Sequence, residues 1–277
     1  VTILKDTKIC FIGAGAMATA IIAGLCKQKL VKPENITASD PYPTQLQKLA
    51  EHYQINITAD NLTALENKEV LILAIKPQML TKVGHELQGH IPTESLVISI
   101  LGGIPLAKLT CQLQHERVVR VMPNTPAQVG KGMSVWMGTD AISDQQRQQT
   151  KSILAALGEE VLVEKEDYLD MATAISGSGP AYIFMLMEAM IDAGVHLGFS
   201  RQMAQQLVYQ TIEGSVAFAR DSQRHPAELR NMVTSPGGTT AEAIYELDKG
   251  GFRTVISKAI LAAYKKSKFL GSLNDNG

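Results

Sequence analysis

An α/β architecture is expected: a doubly wound parallel sheet over residues 1–164, then an all-α C-terminal domain over residues 165–277. Three observations carry this expectation. A short apolar run from Lys8 to Ile12 is followed directly by Gly13-Ala-Gly-Ala-Met-Ala18 and an apolar-periodic helix. Apolar runs then alternate with helical patterns as far as Val163. Beyond Glu164 the strand signals stop and helical periodicity takes over.

Taken in order, Lys8 to Ile12 is the first strand and the helix after it runs to about Lys29. In this context Gly13 permits a tight turn, Gly15 lets a pyrophosphate approach the helix N-terminus, and Ala18 supplies the small third position, as in a Rossmann dinucleotide fingerprint. Further strands are expected at Ile36–Ser39, Ile55–Thr58, Val70–Ala74, Leu96–Ile100 and Arg117–Met122, with a helix at Thr44–Tyr53. Runs apolar on both faces imply a parallel sheet, with ligands lying beyond the carboxyl ends of its strands. The loops at Gly13, Asp40, Lys76, Leu101 and Asn124 should therefore share one rim. Asp40 ends the second strand, where a carboxylate accepts from ribose hydroxyls and repels a 2′-phosphate, favouring NAD over NADP. Pro41 also leaves open a plain turn role for Asp40. Lys76 is suited either to a phosphate or to solvent. Gly132 to Met137 and Glu160 to Val163 close the strand series, around a helix capped by Ser143.

Composition narrows the classes of function. The 26 basic and 27 acidic residues nearly cancel, which disfavours general nucleic-acid or anionic-membrane binding and favours a small-molecule site. Three cysteines in apolar segments, together with a first strand that starts near residue 8 and no uninterrupted apolar run of about 18 residues, point to the cytoplasm. The histidines and cysteines show no metal-ligand spacing, and no nucleophile elbow is present.

In the C-terminal half, helices are expected over Tyr168–Phe199, Arg201–Arg220 and Thr240 onward. The first is interrupted by Ser176-Gly-Ser-Gly-Pro-Ala181, where a break or kink is expected and a break would expose backbone amides. Tyr182 to Met190 is apolar on more than one face, as a helix covered by another subunit would be, a core helix being the alternative. Thr234-Ser-Pro-Gly-Gly-Thr-Thr240 reads as a tight loop opening a helix with a Thr cap, an arrangement whose free amides can seat a carboxylate. His225 before Pro226 is expected as a surface or capping residue, and the polar tail Ser272–Gly277 as frayed.

Several of these stretches, with others, resemble one family in order along the whole chain. Gly13-Ala-Gly-Ala-Met-Ala18, Ala74-Ile-Lys-Pro77, Ile98-Ser-Ile-Leu-Gly-Gly103, Arg120-Val-Met-Pro-Asn-Thr-Pro-Ala127, Ser176-Gly-Ser-Gly-Pro-Ala-Tyr182 and Glu228-Leu-Arg-Asn-Met-Val-Thr-Ser-Pro-Gly-Gly-Thr-Thr240 are similar to the motifs of pyrroline-5-carboxylate reductases. The last is the specific one. The resemblance implies reduction of L-1-pyrroline-5-carboxylate to L-proline by NAD(P)H. It also implies roles for residues. Ser235, Gly237, Gly238 and Thr239 would seat the substrate carboxylate, and Thr240 would hydrogen-bond the ring nitrogen. Ser178 and Pro180 would shape the pocket wall. Gly13, Gly15, Ala16, Met17, Asp40, Asn61, Ala74, Ile75, Lys76 and Leu101 would line the cofactor.

The family generally favours NADPH, whereas Asp40 tilts this chain toward NADH. Arg224 and Ala16 depart from the family's usual Glu and polar residue. The family assembles as dimers through its C-terminal helices, often five in a ring, so a homodimer or a decamer is implied. Two other readings stand beside it. A 3-hydroxyacid dehydrogenase would need a Lys and an Asn where this chain has Ile183 and Met187. A dinucleotide-sensing module without catalysis would have no use for the Ser235–Thr240 seat.

Overall fold

The computed structural model describes residues 3–275. Its first half alternates strands and helices: β1 (Ile9–Ile12), α1 (Ala16–Lys27), β2 (Ile36–Ser39), α2 (Pro43–Tyr53), β3 (Asn56–Thr58), α3 (Asn61–Leu65), β4 (Val70–Leu73), α4 (Leu80–Leu87), β5 (Leu96–Ser99), α5 (Leu106–Leu113), β6 (Val118–Met122), β7 (Gly132–Gly138), α6 (Asp144–Ala155) and β8 (Gly158–Leu162). Helices follow: α7 (Asp167–Ala172), α8 (Gly179–His196), α9 (Arg201–Ser222), α10 (Pro226–Met232), α11 (Thr239–Lys249) and α12 (Phe252–Asp275).

The strands form one sheet in the order β3-β2-β1-β4-β5-β6-β7-β8. Alternate residues of each central strand serve opposite cores. Ile9, Phe11, Val70, Ile72, Leu96 and Ile98 pack on one face, and Cys10, Ile12, Leu71, Leu73 and Val97 on the other. Burial on both faces is what makes these runs continuously apolar rather than alternating. It also raises the Cys10 thiol to about 12, so it stays protonated and inert.

β3, β2, β1, β4, β5 and β6 are parallel, as expected, but β7 runs antiparallel to β6. The connection between them holds only the short 3-10 turn Thr125–Val129, and a parallel crossover needs about a dozen residues or more. Ser143 caps α6 as expected, in a reciprocal capping box with Gln146. His225 caps α10 through Nδ1, which accepts from the Ala227 amide at 3.2 Å.

Packing divides the chain into two compact units, residues 1–178 with 263–277, and residues 179–262. This differs from the 164/165 boundary expected from the end of the strand signals. The reason is that α7 packs on β6 and β7, and that the last turns of α12 return to the first unit, where Tyr264 and Ser267 bond Asp167 and Asp170. The expected frayed tail is helical through Asp275, and its last two residues lie outside the described ones.

In the second unit the buried apolar core is small: Ile191, Ala204 and Val208, flanked by Met187 and Ile212. Ile183, Phe184, Met185, Leu186 and Met190 are exposed, so α8 gives only Ile191 and Met187 to this core and leaves most of its Tyr182–Met190 apolar stretch uncovered. The helical stretch 167–196 would suffice by length and composition to cross a membrane, although Asp170, Glu188 and Asp192 keep it from being an uninterrupted apolar run.

One buried titratable group sets a pH dependence. The His115 ring lies with Nε2 2.7 Å from the Ser95 carbonyl oxygen, and burial holds its pKa below the ordinary 6.5. A depressed folded value means the unfolded chain takes up the proton first. Stability is therefore full above the unfolded pKa and falls as pH drops through that window, by no more than about 1.4 kcal/mol per pH unit. Urea midpoints between pH 7.5 and 5.5 should fall for the native protein and fall less for His115→Asn.

Candidate active site

The parallel strands bring their carboxyl-end loops to one rim of the first unit. Gly13 stands between β1 and α1 at φ +97°, and a Cβ there would lie 2.6 Å from the Ala74 carbonyl oxygen. Only glycine fits. Gly15 precedes α1 with ordinary extended geometry and nothing within 4 Å of where a Cβ would stand. The first turn of α1 has no side-chain cap and no acid, Ala16 is exposed and Met17 is half-buried. An uncapped helix N-terminus under open space is suited to an anion. Ala74 and Ile75 continue β4 as half-buried walls, Lys76 is exposed, and Leu101 is buried with its amide 3.3 Å from Ser99 Oγ.

Asp40 faces inward. Its Oδ2 accepts from the Ala14 amide at 2.8 Å and Oδ1 from the Tyr42 amide at 3.0 Å. The carboxylate thereby braces the glycine loop, an engagement that strand-end position alone did not reveal. Beside it, the buried Ser39 hydroxyl donates to Asn61 Oδ1 at 2.8 Å, and Asn61 Nδ2 donates to Glu86 Oε2 at 3.0 Å.

Just after β6, Asn124 ties the segment at Ser176 to the start of β7: Nδ2 donates to the Ser176 carbonyl and Oδ1 accepts from the Met133 amide. The expected helix break at Ser176–Ala181 is instead a π-helical turn, Thr173–Gly177, in which the Ser178 amide donates to the Thr173 carbonyl at 2.8 Å. The wider turn keeps that amide bonded where a break would have exposed it. Met122 packs over Gly177, where a Cβ would lie 2.6 Å from its Cε. Ser178 and Pro180 are half-buried.

Below this turn, buried Arg120 pairs with Glu166 at 2.7 Å and reaches Asp170 at 3.5 Å. Glu166 also accepts from the Leu106 amide. Arg120 was visible as the one charge inside an apolar strand. Glu86 carried no local signal, since its partner is distant in sequence.

In the second unit, α10 and α11 are joined by the loop Val233–Gly238. Gly237 has φ +67°, and Ser235 Oγ lies where a Cβ on Gly238 would be, 2.4 Å from it. The N-cap of α11 is Gly238, not a threonine, and it has no side-chain cap bond. Thr239 and Thr240 therefore occupy the first turn with their hydroxyls uncommitted to capping, Thr239 exposed and Thr240 half-buried. Backbone donors and three hydroxyls on one loop suit a small carboxylate. Among the described residues no group of three or more His, Cys, Asp or Glu could hold a metal.

Residues 8–103 match the family model described as NADP oxidoreductase coenzyme F420-dependent, and residues 166–270 the model for pyrroline-5-carboxylate reductase dimerisation. The N-terminal part is thus an NAD(P)-binding domain. The pyrroline-5-carboxylate reductase of Pseudomonas aeruginosa is 42% identical over 95% of this chain and 97% of its own, and that of Synechocystis 40% over 94% and 97%. The crystal structure of the Plasmodium falciparum enzyme, with NADP bound, superposes with a TM-score of 0.88 at 32% identity, covering 97% of this chain and 99% of that one. Matched over nearly its whole length by these relatives, the chain belongs to the pyrroline-5-carboxylate reductase family and is an oxidoreductase of proline biosynthesis.

Proposed function

We propose that the chain reduces L-1-pyrroline-5-carboxylate to L-proline, using residues 1–164 to hold a reduced nicotinamide dinucleotide and residues 165–277 to bind substrate and dimerise. The uncapped Gly238–Thr240 helix start carries this reading, since it offers a carboxylate seat built without Arg or Lys. Ser235, Gly237, Gly238 and Thr239 form the carboxylate seat, with the Gly238 amide donating to the Ser235 carbonyl at 3.0 Å to shape the turn and the hydroxyls and remaining amides as donors. Thr240 Oγ1 accepts from the protonated ring nitrogen and orients the imine carbon. A hydroxyl is a poor acid near neutrality, so the proton arrives with the substrate or from solvent. Ser178 and Pro180 wall the pocket.

The dinucleotide supplies the hydride. On the protein side, Gly13, Gly15, Ala16 and Met17 form the pyrophosphate seat, Ala74, Ile75, Lys76 and Leu101 line the cleft, and Asp40 and Asn61 meet the adenosine ribose. The fixed Asp40 carboxylate tilts the preference toward NADH, against the NADPH preference that the family resemblance suggests. Positioning and exclusion of water do most of the catalytic work, which accounts for a site of hydroxyls and amides with no acid–base pair.

The exposed apolar face of α8 is covered by a second copy, giving a homodimer through the C-terminal helices; a ring of five such dimers is what the family resemblance implies. This use of the face leaves no membrane-spanning role for 167–196. Three cysteines without disulfides accord with a cytoplasmic enzyme.

Purified protein given L-1-pyrroline-5-carboxylate and NADH or NADPH should yield L-proline by amino-acid analysis; its absence would overturn the assignment. Thr240→Ala should lower kcat/KM by about 1–2 kcal/mol with the fold intact. An unchanged rate would remove Thr240 from the site.

A further inference from the structure

We propose that Glu86 is a specificity-determining residue for the dinucleotide, making the ribose end of the cleft doubly acidic and reserving it for a ribose with a free 2′-hydroxyl. The inference rests on the reading that Asp40 and Asn61 meet the adenosine ribose, and it adds a residue which neither motif nor family description assigns.

Four observations carry it. Ser39 and Thr58 are register partners on adjacent parallel strands, so the loops that follow them, bearing Asp40 and Asn61, leave the sheet side by side. The buried Ser39 hydroxyl bonds Asn61 Oδ1, which anchors that carboxamide to the end of β2, next to Asp40. Glu86, exposed on α4, accepts from Asn61 Nδ2 at 3.0 Å. Asp40 is itself held by the Ala14 and Tyr42 amides, so its charge stays at the rim.

The consequence is chemical. Asn61 Nδ2 carries two N–H donors, and Glu86 takes one of them and fixes the direction of the other. Turning the carboxamide over would set its oxygen against the Glu86 carboxylate, so Glu86 also fixes which end of Asn61 faces which partner. A 2′-phosphate entering here meets the carboxylates of Asp40 and Glu86, with one Asn61 N–H already given to Glu86. A 2′-hydroxyl, which donates as well as accepts, meets acceptors.

The test measures dissociation constants of NADPH and NADH for the full-length protein by fluorescence titration, alongside kcat and KM for each. The proteins compared are the native one, Glu86→Gln, Asp40→Ser and the double variant. Glu86→Gln should tighten NADPH about threefold to tenfold through KM and Kd rather than kcat, the size of one partly screened surface charge, with NADH changed less than about twofold. Asp40→Ser should act in the same direction, and raised salt should narrow the native preference. An unchanged NADPH constant in Glu86→Gln, or equal changes for both dinucleotides, would overturn the role of Glu86 while leaving the reductase intact. Failure of the native protein to bind either dinucleotide would overturn the ribose reading beneath it.

Discussion

Gly13→Ala should unfold more easily and lose dinucleotide binding, whereas Gly15→Ala should lose binding alone. At Gly13 the added methyl meets a left-handed backbone at φ +97° and the Ala74 carbonyl oxygen at 2.6 Å, a main-chain atom that cannot swing aside. The conformational part alone costs about 1–3 kcal/mol, and displacement of β4 from β1 adds to it. At Gly15 the backbone is ordinary and the methyl meets nothing, so stability should stay within about 0.5 kcal/mol while the new group fills the space over the α1 amides. Urea denaturation at fixed protomer concentration and dinucleotide titration separate the two. Equal stability losses at both positions would contradict the division of labour between the glycines.

Arg120→Met should cost about 3 kcal/mol, near the lower end for removing one partner of a buried ion pair, because Glu166 keeps some access to water. The loss leaves Glu166 and Asp170 side by side under the π-helical turn without their cation. Neutralising them in Arg120→Met/Glu166→Gln/Asp170→Asn should recover a large part of the stability, since the penalty lies in the uncompensated charges. A triple variant as unstable as the single one would show that Arg120 acts through packing instead.

Much of this molecule is legible in its sequence, and the reasons differ by element. The strands of the parallel sheet stand out because burial on both faces leaves no polar positions in Val70–Leu73 or in Ile9–Ile12. The glycine loop is legible because its geometry admits no other residue at Gly13. The direction of β7 is not, since an apolar strand looks alike in either orientation and only the short connection after β6 decides it. The π-helical turn escapes because glycines and a proline signal a break equally well, and which carbonyl the Ser178 amide finds is settled by packing against Met122 and Asn124. At the candidate site, the Ser235–Thr240 loop is recognisable by motif, yet the cap falls on Gly238 rather than on threonine, leaving both hydroxyls available. The bracing of Ala14 by Asp40 and the tie from Asn61 to Glu86 join residues far apart in the chain, which no local pattern reports.

The central claim is that this dinucleotide-binding fold delivers hydride to a cyclic imine seated by hydroxyls and amides. Initial rates of NADH and NADPH oxidation, taken separately with L-1-pyrroline-5-carboxylate, test it most directly. Substrate-dependent oxidation with at least one of the two, faster per unit KM for NADH than a site without Asp40 and Glu86 allows, is the predicted result. Folded protein that binds dinucleotide yet oxidises neither in the presence of this imine would contradict the account.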